Sequence, residues 1–536
     1  MPASTPACRK RRRRSGPPAA HFAAAGRIIS LCMSDIVLLA LNARWAHCSF
    51  GARWLLANLA ELRPQARLLE FDTTAAASDI IEAVLAGNPR IVAIGVYIWN
   101  AVLAADVAFN LKRLRPDVVL VLGGPQVSYE FDRQEICHAA DCIIAGEADT
   151  AFAAVCRAVL AGRSPPRVVQ APRPDLAALT PPYDLYDDAD LARRVIYVES
   201  SRGCPFGCEF CLSSLDREVR YFPLDAFLSS LGRLLDRGAR HIKFVDRTFN
   251  IDIPRACAIL DFLLERLRPG LLVHFEMVPD RLPAPLRDRL TRFPPGMLQL
   301  ELGVQTFDPR VAEIIGRRQD PARIEDNIRF LRNSTGVHVH ADLVFGLPGE
   351  TLDSFAAGFD RLLALNPQEI QVGILKRLPG APIARHDGAW GMVYSAKPPF
   401  EVLQTSLIDF AAVQRVKRFA RYWDIIANSG NFIRTLPLLF RGKSPFAAFM
   451  RLSDWLWSRL GRTHSIALDN LACSLAEYLV VHAGCAREDV SAAIAADFRR
   501  LGRSIPAALR AGPAVSPPPA APPPNGAPGR QSRHLA

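Results

Sequence analysis

Short apolar runs alternate with stretches of helical periodicity between residues 35 and 162. Five of these runs are too short for helices and are bounded by turn residues, which favours buried strands. They are Ile36–Leu41, Arg67–Phe71, Ile91–Val96, Val118–Leu122 and Cys142–Ala145. Apolar strands separated by helices are typical of a doubly wound parallel sheet. We therefore predict a flavodoxin-like α/β unit for residues 35–162.

The same alternation resumes after a stretch rich in Pro and Arg, residues 163–190, which we interpret as a linker. Six more apolar runs follow within residues 191–385, at Val195–Ser200, His241–Val245, Leu271–Met277, Leu298–Gly303, Val337–Phe345 and Glu369–Ile374. Six strand–helix repeats predict an open, partial (βα)6 barrel of the TIM type, with its chemistry at the C-terminal strand ends. Residues 386–510 are helical in pattern and predict a third, helical domain.

Charge is concentrated at the two ends of the chain. The net charge is +12, but seven basic residues and no acidic residue lie in residues 1–34, and three basic residues and no acidic residue lie in residues 510–536. The nearly neutral body gives no general affinity for nucleic-acid phosphates. We expect residues 1–34 to be a disordered basic extension, with Met33 as an alternative start. Residues 511–536, rich in Pro and Ala, are expected to be a disordered tail.

No apolar run reaches the roughly 18 residues that a membrane-spanning helix needs. The twelve cysteines include no dense pattern typical of a disulfide framework. Free thiols belong in a reducing compartment, so the sequence predicts a cytoplasmic protein without a membrane partner.

Three closely spaced cysteines carry the strongest chemical signal. Cys204, Cys208 and Cys211 form a C-x3-C-x2-C motif in a loop that contains Pro and Gly and directly follows a strand. Three thiolates hold three irons of a [4Fe-4S] cube and leave the fourth iron open. A closed zinc site needs four ligands, and no second Cys/His pair follows, so zinc is the weaker alternative. The other nine cysteines are scattered singly and are expected to be structural.

This motif resembles that of the radical S-adenosylmethionine (SAM) superfamily, in which SAM binds the open iron. The resemblance implies reductive cleavage of SAM to a 5′-deoxyadenosyl radical, and an electron donor such as a flavodoxin or ferredoxin. Later strand ends are similar to the superfamily's SAM-contacting loops, with Asp246 and Asn250 expected to face the barrel mouth. The full set of implied contacts is Asp246, Asn250, Glu276, Gln305, Gly346 and Gly349.

The loops of the first unit resemble the cobalamin-binding domain that precedes the radical SAM core in one large subgroup. The resemblance rests on Gly-Gly-Pro and Gly-Glu-x-Asp sequences and implies cobalamin contacts from Gly123, Gly124, Gly146 and Glu147. Relatives that ligate cobalt use D-x-H-x-x-G, whereas this chain has His47 without the aspartate or the spacing to glycine. His47 is the candidate cobalt ligand. Cobalamin without a protein ligand, and a sheet with no ligand at all, are the alternatives.

With cobalamin, the resemblance implies methylation of an unactivated carbon or a rearrangement of a substrate that the sequence does not identify. One rival is a tRNA methylthiotransferase, which carries a second cluster on three N-terminal cysteines; Cys32, Cys48, Cys137 and Cys142 form no such set. The other rival is a non-catalytic iron–sulfur or zinc protein that binds or senses. The helical region interleaves aromatic and basic residues, but their helical spacing favours packing on the barrel over RNA binding.

Overall fold

The computed structural model describes residues 34–442, 444–509 and 529–534. The predictions for residues 1–33, including the alternative start at Met33, lie outside the described residues. Within the described ranges, no helix has both the length and the apolar character needed to cross a membrane.

Six parallel strands form the first sheet, in the order β2-β1-β3-β4-β5-β6. The strands are β1 Ile36–Asn42, β2 Ala66–Asp72, β3 Ile91–Gly95, β4 Val119–Gly123, β5 Cys142–Ala145 and β6 Val168–Gln170. The helices are α1 Phe50–Ala57, α2 Ala77–Leu85, α3 Ala101–Leu114 and α4 Ala151–Leu160. Successive residues of β1 enter different cores: Val37 and Leu39 pack on one face, and Leu38 packs on the other. Helices therefore cover both faces, as the continuous apolar strands predict.

The predicted doubly wound sheet is confirmed, with one more strand than the sequence pattern indicated. Val168–Gln170 pairs with β5 and lies in the stretch that was interpreted as a linker. This strand has only three residues, none of them buried. A short strand at a sheet edge lacks the apolar run that identifies buried strands.

A second parallel sheet has the order β14-β13-β12-β11-β10-β7, in which neighbouring strands of the sheet also follow one another along the chain. Its strands are β7 Ile196–Val198, β10 His241–Phe244, β11 Leu272–Met277, β12 Leu298–Gln305, β13 His338–Phe345 and β14 Glu369–Ile374. A two-stranded ribbon, β8 Ser201–Arg202 with β9 Arg220–Tyr221, follows β7. The helices are α5 Asp188–Arg193, α6 Leu224–Asp236, α7 Ile253–Leu264, α8 Ala284–Thr291, α9 Pro309–Ile314, α10 Pro321–Ser334 and α11 Leu352–Leu363. Because β7 and β14 are the two edges, the barrel is open, as predicted.

The C-terminal region is mainly helical and shares one hydrophobic core with the barrel. It contains a small ribbon, β15 Val393–Tyr394 with β16 Val402–Gln404, and the helices α12 Phe410–Trp423, α13 Pro445–Leu460, α14 Leu468–Val481 and α15 Arg487–Arg500. Phe359 of the barrel contacts Phe419 and Trp423 edge to face, with ring centroids 5.2 and 4.8 Å apart. Both α12 side chains are at most 2% exposed. Their predicted packing on the barrel is confirmed.

Residues 529–534 belong to the segment expected to be a disordered tail, and in the structure they contact the beginnings of two barrel strands. Residues 511–528 and 535–536 of that segment lie outside the described residues. A short helix, α16 Gly529–Ser532, places Arg530 Nη2 2.8 Å from Glu369 Oε2. Gln531 Nε2 donates to Gln299 Oε1 at 2.7 Å. Both partners lie at the beginnings of barrel strands, opposite to the cysteine loop. A buried carboxylate such as Glu369 needs a cation, and the Pro- and Ala-rich composition of the tail gave no sign of this polar end.

Candidate active site

The cysteine loop is held by backbone contacts with its neighbours. The Cys204 N–H donates to the Asp216 carbonyl at 2.9 Å, and the Cys211 N–H donates to the Cys208 carbonyl at 3.1 Å. Gly203 has φ +95°, and a Cβ there would lie 2.0 Å from the Glu218 carbonyl oxygen. Only glycine fits this position, so the residue preceding the first cysteine is fixed by the fold.

All three thiols line one cavity of about 270 Å³ at the C-terminal ends of the barrel strands. Burial raises the pKa of Cys204, and the neighbouring Cys211 and Cys208 raise it further. Among the described residues, no three His, Cys, Asp or Glu side chains are arranged around a single metal ion. Three thiols that face one cavity fit a cube in which each thiolate takes a different iron, and a bound iron would supply the positive charge that stabilises the thiolates.

Side chains from distant parts of the chain contact the second cysteine and the residue that follows it. The Arg317 Nη1 lies 3.3 Å from Cys208 Sγ, and its Nε donates to Gln319 Oε1 at 2.7 Å. Glu209, which is buried, accepts from Arg385 and lies 2.7 Å from His386 Nε2. Sequence reasoning missed these partners, because each lies more than 100 residues from the cysteine loop and belongs to no motif.

Carboxylates form part of the polar wall of the same cavity, and a lysine contacts two of them. Glu276, Glu301 and Asp342 line it, and Lys243 Nζ lies 3.1 Å from Glu301 and 3.9 Å from Glu276. Burial raises the pKa values of Glu276 and Asp342. Burial also opposes ionisation of Glu301, but a hydrogen bond from His274 and the charge of Lys243 hold the pKa of Glu301 well below its usual range. Neighbouring carboxylates in the cavity thus differ in their tendency to hold a proton.

The structure separates the six implied SAM contacts into two groups. Glu276 and Gln305 line the cavity, and Gln305 has the unusual φ of +67°. Asp246 and Asn250 do not face the mouth, contrary to expectation. Asp246 accepts from both hydroxyls of Ser200 and Ser201, and the Asn250 amide pairs with backbone groups of residues 278 and 281. The side chain of a polar residue at a strand end can hydrogen-bond to backbone groups inside the protein as readily as it can hydrogen-bond to a ligand.

Gly346 and Gly349 form the turn after β13 and do not line the cavity wall that the cysteines share. A Cβ on Gly346 would lie 2.6 Å from Val402, and one on Gly349 would lie 2.6 Å from Ile314. The turn is closed by buried Glu350, whose Oε2 accepts from the Gly346 N–H at 2.7 Å. Both glycines are required by packing in the described structure.

A second, larger cavity of about 650 Å³ opens at the C-terminal ends of the first sheet. Most of its wall is apolar, and Gly123, Gly124 and Gly146 bring the backbone close to the space. Gly124 has φ +98°, and a Cβ there would lie 2.6 Å from the Val96 carbonyl oxygen. At the rim, Trp99 is half exposed and stacks on Tyr97 with centroids 4.4 Å apart. Such a space suits a large, flat and mainly apolar ligand.

His47 and Glu147 have different positions relative to this second cavity. His47 lines it, with Nδ1 2.6 Å from the Tyr197 hydroxyl. Burial lowers the pKa of His47, which favours the neutral ring. Glu147 is not part of the wall and instead pairs with Arg202 and Arg220. Arg247 lines both cavities, so the two spaces adjoin at one side chain.

Three family models match consecutive parts of the chain. The B12 binding domain matches residues 36–156, and the Radical SAM superfamily matches residues 198–362. A family of unknown function, DUF4080, matches residues 388–509. The first two matches fall on the two parallel sheets that carry the cavities. The chain contains a B12-binding domain followed by a radical SAM domain.

Relatives of this radical SAM protein include several named methyltransferases. An uncharacterized methyltransferase of Pyrococcus horikoshii is 26% identical over 56% of this chain and 70% of its own length. The cobalamin-dependent radical SAM methyltransferase TokK of Streptomyces tokunonensis is 26% identical over 55% of this chain and 48% of its own. A tRNA-2-methylthio-N(6)-dimethylallyladenosine synthase of Klebsiella pneumoniae is 24% identical over 51% and 59%. The chain thus spans about half the length of the latter two proteins.

A solved structure shares the fold of most of this radical SAM protein. The radical SAM methyltransferase TsrM from Kitasatospora setae matches with a TM-score of 0.54 and 16% identity, over 68% of this chain and 80% of its own. The TsrM protein has been solved with cobalamin and a [4Fe-4S] cluster bound. At this identity the likeness shows the fold alone.

The chain is therefore a radical SAM enzyme whose cofactors are a [4Fe-4S] cluster, SAM and cobalamin. The donor set fits the cluster, since three thiols share one cavity wall. The glycine-lined, mainly apolar cavity beside it fits a corrinoid ring.

Proposed function

We propose that this enzyme is a cobalamin-dependent methyltransferase that acts at an unactivated carbon. The observation that carries the proposal is the side-by-side position of a three-thiol cavity and a corrinoid-sized cavity that share Arg247. Two relatives whose names state methyl transfer support it. A reductant is needed as well, and we propose a flavodoxin or ferredoxin of the cytoplasm.

Different residues would bind the cofactors in the two cavities. When bound, the reduced cluster would supply the electron for cleavage of one SAM molecule, and cobalamin would carry a methyl group taken from a second SAM molecule. Cys204, Cys208 and Cys211 would hold the cluster, and Glu276 and Gln305 would offer hydrogen-bond acceptors and donors for the polar groups of SAM. The apolar wall around Gly123 and Gly124 would exclude water from the corrinoid face. We propose that His47 contacts that face as a neutral side chain.

The test is anaerobic reconstitution with iron, sulfide, hydroxocobalamin and SAM. The expected results are a broad visible absorption from the cluster, retention of the corrinoid through gel filtration, and formation of 5′-deoxyadenosine on reduction. If the corrinoid washes out while SAM is still cleaved, the methylation proposal is wrong and the SAM chemistry stands. If the reduced, cluster-loaded protein yields no 5′-deoxyadenosine, a binding or sensing role replaces catalysis.

The tRNA methylthiotransferase alternative has a similar protein in its favour. It requires a second cluster on N-terminal cysteines. Within the described ranges, Cys48, Cys137 and Cys142 are buried, and burial raises the pKa of each thiol to about 11 or 12; Cys32 lies outside these ranges. Iron analysis separates the two functions: about four irons per chain support one cluster, and about eight support the alternative.

A further inference from the structure

The Gly-Glu-Ala-Asp sequence of the first domain contacts the cysteine ribbon of the barrel. Arg202 Nη1 lies 2.8 Å from both Glu147 Oε2 and Asp149 Oδ2, and its Nη2 lies 3.0 Å from Asp149 Oδ1. The same guanidinium reaches Glu199 Oε1 at 2.8 Å. Arg220 also pairs with Glu147 and lies 3.4 Å from Asp216. We call these six residues the clasp: Glu147, Asp149, Glu199, Arg202, Asp216 and Arg220.

The barrel side of the clasp is continuous with the first cluster ligand. Arg202 and Arg220 face each other in the β8–β9 ribbon, and only Gly203 separates Arg202 from Cys204. The Cys204 N–H donates to the carbonyl of Asp216, which is itself part of the clasp. A displacement of either arginine therefore moves the backbone that carries Cys204.

The other side of the clasp is part of the corrinoid cavity. Asp149, Glu199 and Arg202 line that cavity, and Gly146, the neighbour of Glu147, lines it too. The Arg202 guanidinium also lies over the Trp54 ring, 5.0 Å from its centroid, and Trp54 belongs to the same wall. A ligand in the cavity contacts the clasp directly.

Asp149 and Glu199 of the clasp are buried and the other four residues are partly buried, so the clasp has few intermediate arrangements. The side chains of Arg202 and Arg220 are 13% and 16% exposed, and that of Asp149 is 6% exposed. Removing one partner of a buried pair leaves the other charge without compensation, which strongly disfavours a half-open state. Arg173 lies 2.9 Å from Asp216 and adds a third cation at the edge. Burial raises the pKa of Glu199 to about 7. Because this carboxyl group is then partly protonated near neutral pH, the excess of carboxylate charge over arginine charge in the clasp is smaller.

We propose that the clasp couples the two cofactor sites: corrinoid binding in the first domain fixes the ribbon that positions Cys204, and thereby strengthens SAM binding at the cluster. Glu147 and Arg202 are positioning residues in this scheme. Coupling between binding sites is reciprocal, so SAM strengthens corrinoid binding by the same factor. The proposal rests on the proposed function, since it assumes that the larger cavity takes cobalamin.

The test measures SAM affinity with and without hydroxocobalamin. The reconstituted full chain is reduced, and aza-SAM, a SAM analogue whose sulfonium is replaced by nitrogen so that the reduced cluster does not cleave it, is titrated in place of SAM while the EPR spectrum of the cluster is followed. In the parent, saturating hydroxocobalamin is expected to lower the aza-SAM Kd at least about fivefold. In Glu147→Gln and in Arg202→Lys, the change is expected to fall below about twofold. Lysine keeps the charge but lacks the fork that joins Glu147, Asp149 and Glu199, so it should not rescue the coupling.

Three further measurements keep the outcome interpretable. Iron content and the EPR spectrum without SAM show whether each variant holds its cluster, and the conservative Glu147→Gln serves if Arg202→Lys does not fold. Arg157→Gln is the matched control, because Arg157 forms an exposed pair with Glu61 on the same domain, and its coupling should equal that of the parent. A parent without coupling, or full coupling in Glu147→Gln, would overturn the proposal. Absence of SAM cleavage in the parent would instead count against the proposed function.

Discussion

The two adjoining cavities are lined by different kinds of side chain. The cluster cavity has three thiols, several carboxylates and the cations Arg247 and Arg317 in a space of about 270 Å³. The corrinoid cavity is more than twice as large, and strand and helix residues of the first domain make its wall largely apolar. The smaller site holds its ligands by charge and coordination, whereas the larger one holds a ring by shape. A substitution in one cavity should therefore impair binding of its own cofactor and leave binding of the cofactor in the other cavity largely unchanged.

Loss of any cluster ligand should have the largest effect. Replacing Cys204, Cys208 or Cys211 by Ala removes one of only three thiolates in the cavity, so the visible absorption of the cluster and 5′-deoxyadenosine formation should fall to background. Hydroxocobalamin should still bind within about tenfold of the parent, because its cavity has no contribution from these cysteines. Cys257→Ala, a buried thiol outside both cavities, is the control. Survival of SAM cleavage in a ligand variant would contradict the assignment.

The reverse experiment changes the corrinoid cavity alone. In Gly124→Ala the new Cβ would lie 2.6 Å from the Val96 carbonyl oxygen, at φ +98°. We expect corrinoid affinity to fall at least about tenfold and the free energy of unfolding to fall by about 1–3 kcal/mol. Cluster absorption should be unchanged. Retained corrinoid binding, measured by gel filtration and absorbance, would show that this loop does not form the site.

The variant Gly162→Ala shows whether corrinoid loss in Gly124→Ala comes from backbone strain or from the changed shape of the cavity. Gly162 also has a positive φ, +78°, but a Cβ there has no atom within 4 Å. The Gly162→Ala variant should lose some of its free energy of unfolding through backbone strain but should still bind the corrinoid. Equal corrinoid loss in both variants would mean that instability of the domain, and not the shape of the cavity, explains the result.

Local signals explain what the sequence predicted well. Buried parallel strands are continuous apolar runs, so eleven of the twelve strands in the two six-stranded sheets have bounds within two residues of prediction. The strand β6 was missed because it has no such run. The cysteine triplet is equally local. Its spacing alone is specific enough to identify the superfamily, because three irons need three thiolates from one short loop.

The remaining site residues depend on contacts between distant parts of the chain. Asp246 and Glu147 were expected to face cofactors because their loops resemble the SAM-contacting and cobalamin-contacting loops of the two families. In the fold Asp246 caps backbone and hydroxyl groups 45 residues away, and Glu147 pairs with arginines 55 and 73 residues away. A sequence pattern does not show whether a partner inside the protein already satisfies a polar group.

Charge in the cluster cavity can be changed without touching the thiols. Lys243→Met leaves Glu276 and Glu301 without their nearest lysine, at 3.9 and 3.1 Å. The free energy of unfolding should fall by about 2 kcal/mol, less than for a fully buried pair because Lys243 is a quarter exposed. The SAM Kd should rise several-fold, whereas corrinoid binding should not change. Denaturant unfolding and the EPR titration measure these effects.

Lys112→Met is the matched control in the first domain. Lys112 lies 2.7 Å from Asp141 with a similar exposed fraction. It should lose a comparable or smaller amount of stability and leave the SAM Kd unchanged. A rise in the SAM Kd in both variants would show that general destabilisation, and not the charge of the cavity, controls SAM binding.

The smallest expected effect concerns a carboxyl group beside the barrel mouth that faces neither cavity. Burial raises the pKa of Glu350 to about 8, although the Gly346 N–H donates to it. The folded state therefore keeps the proton that the unfolded chain loses near pH 4.5, so stability falls as the pH rises from about 4.5 to 8. Between pH 6 and 8 the parent should lose up to about 2 kcal/mol more than Glu350→Gln, measured by urea unfolding. Asp353→Asn, an exposed change on the next helix, should follow the parent. Parallel pH profiles for the parent and Glu350→Gln would mean that Glu350 is ionised in the folded protein and that the Gly346 N–H donates to a charged carboxylate.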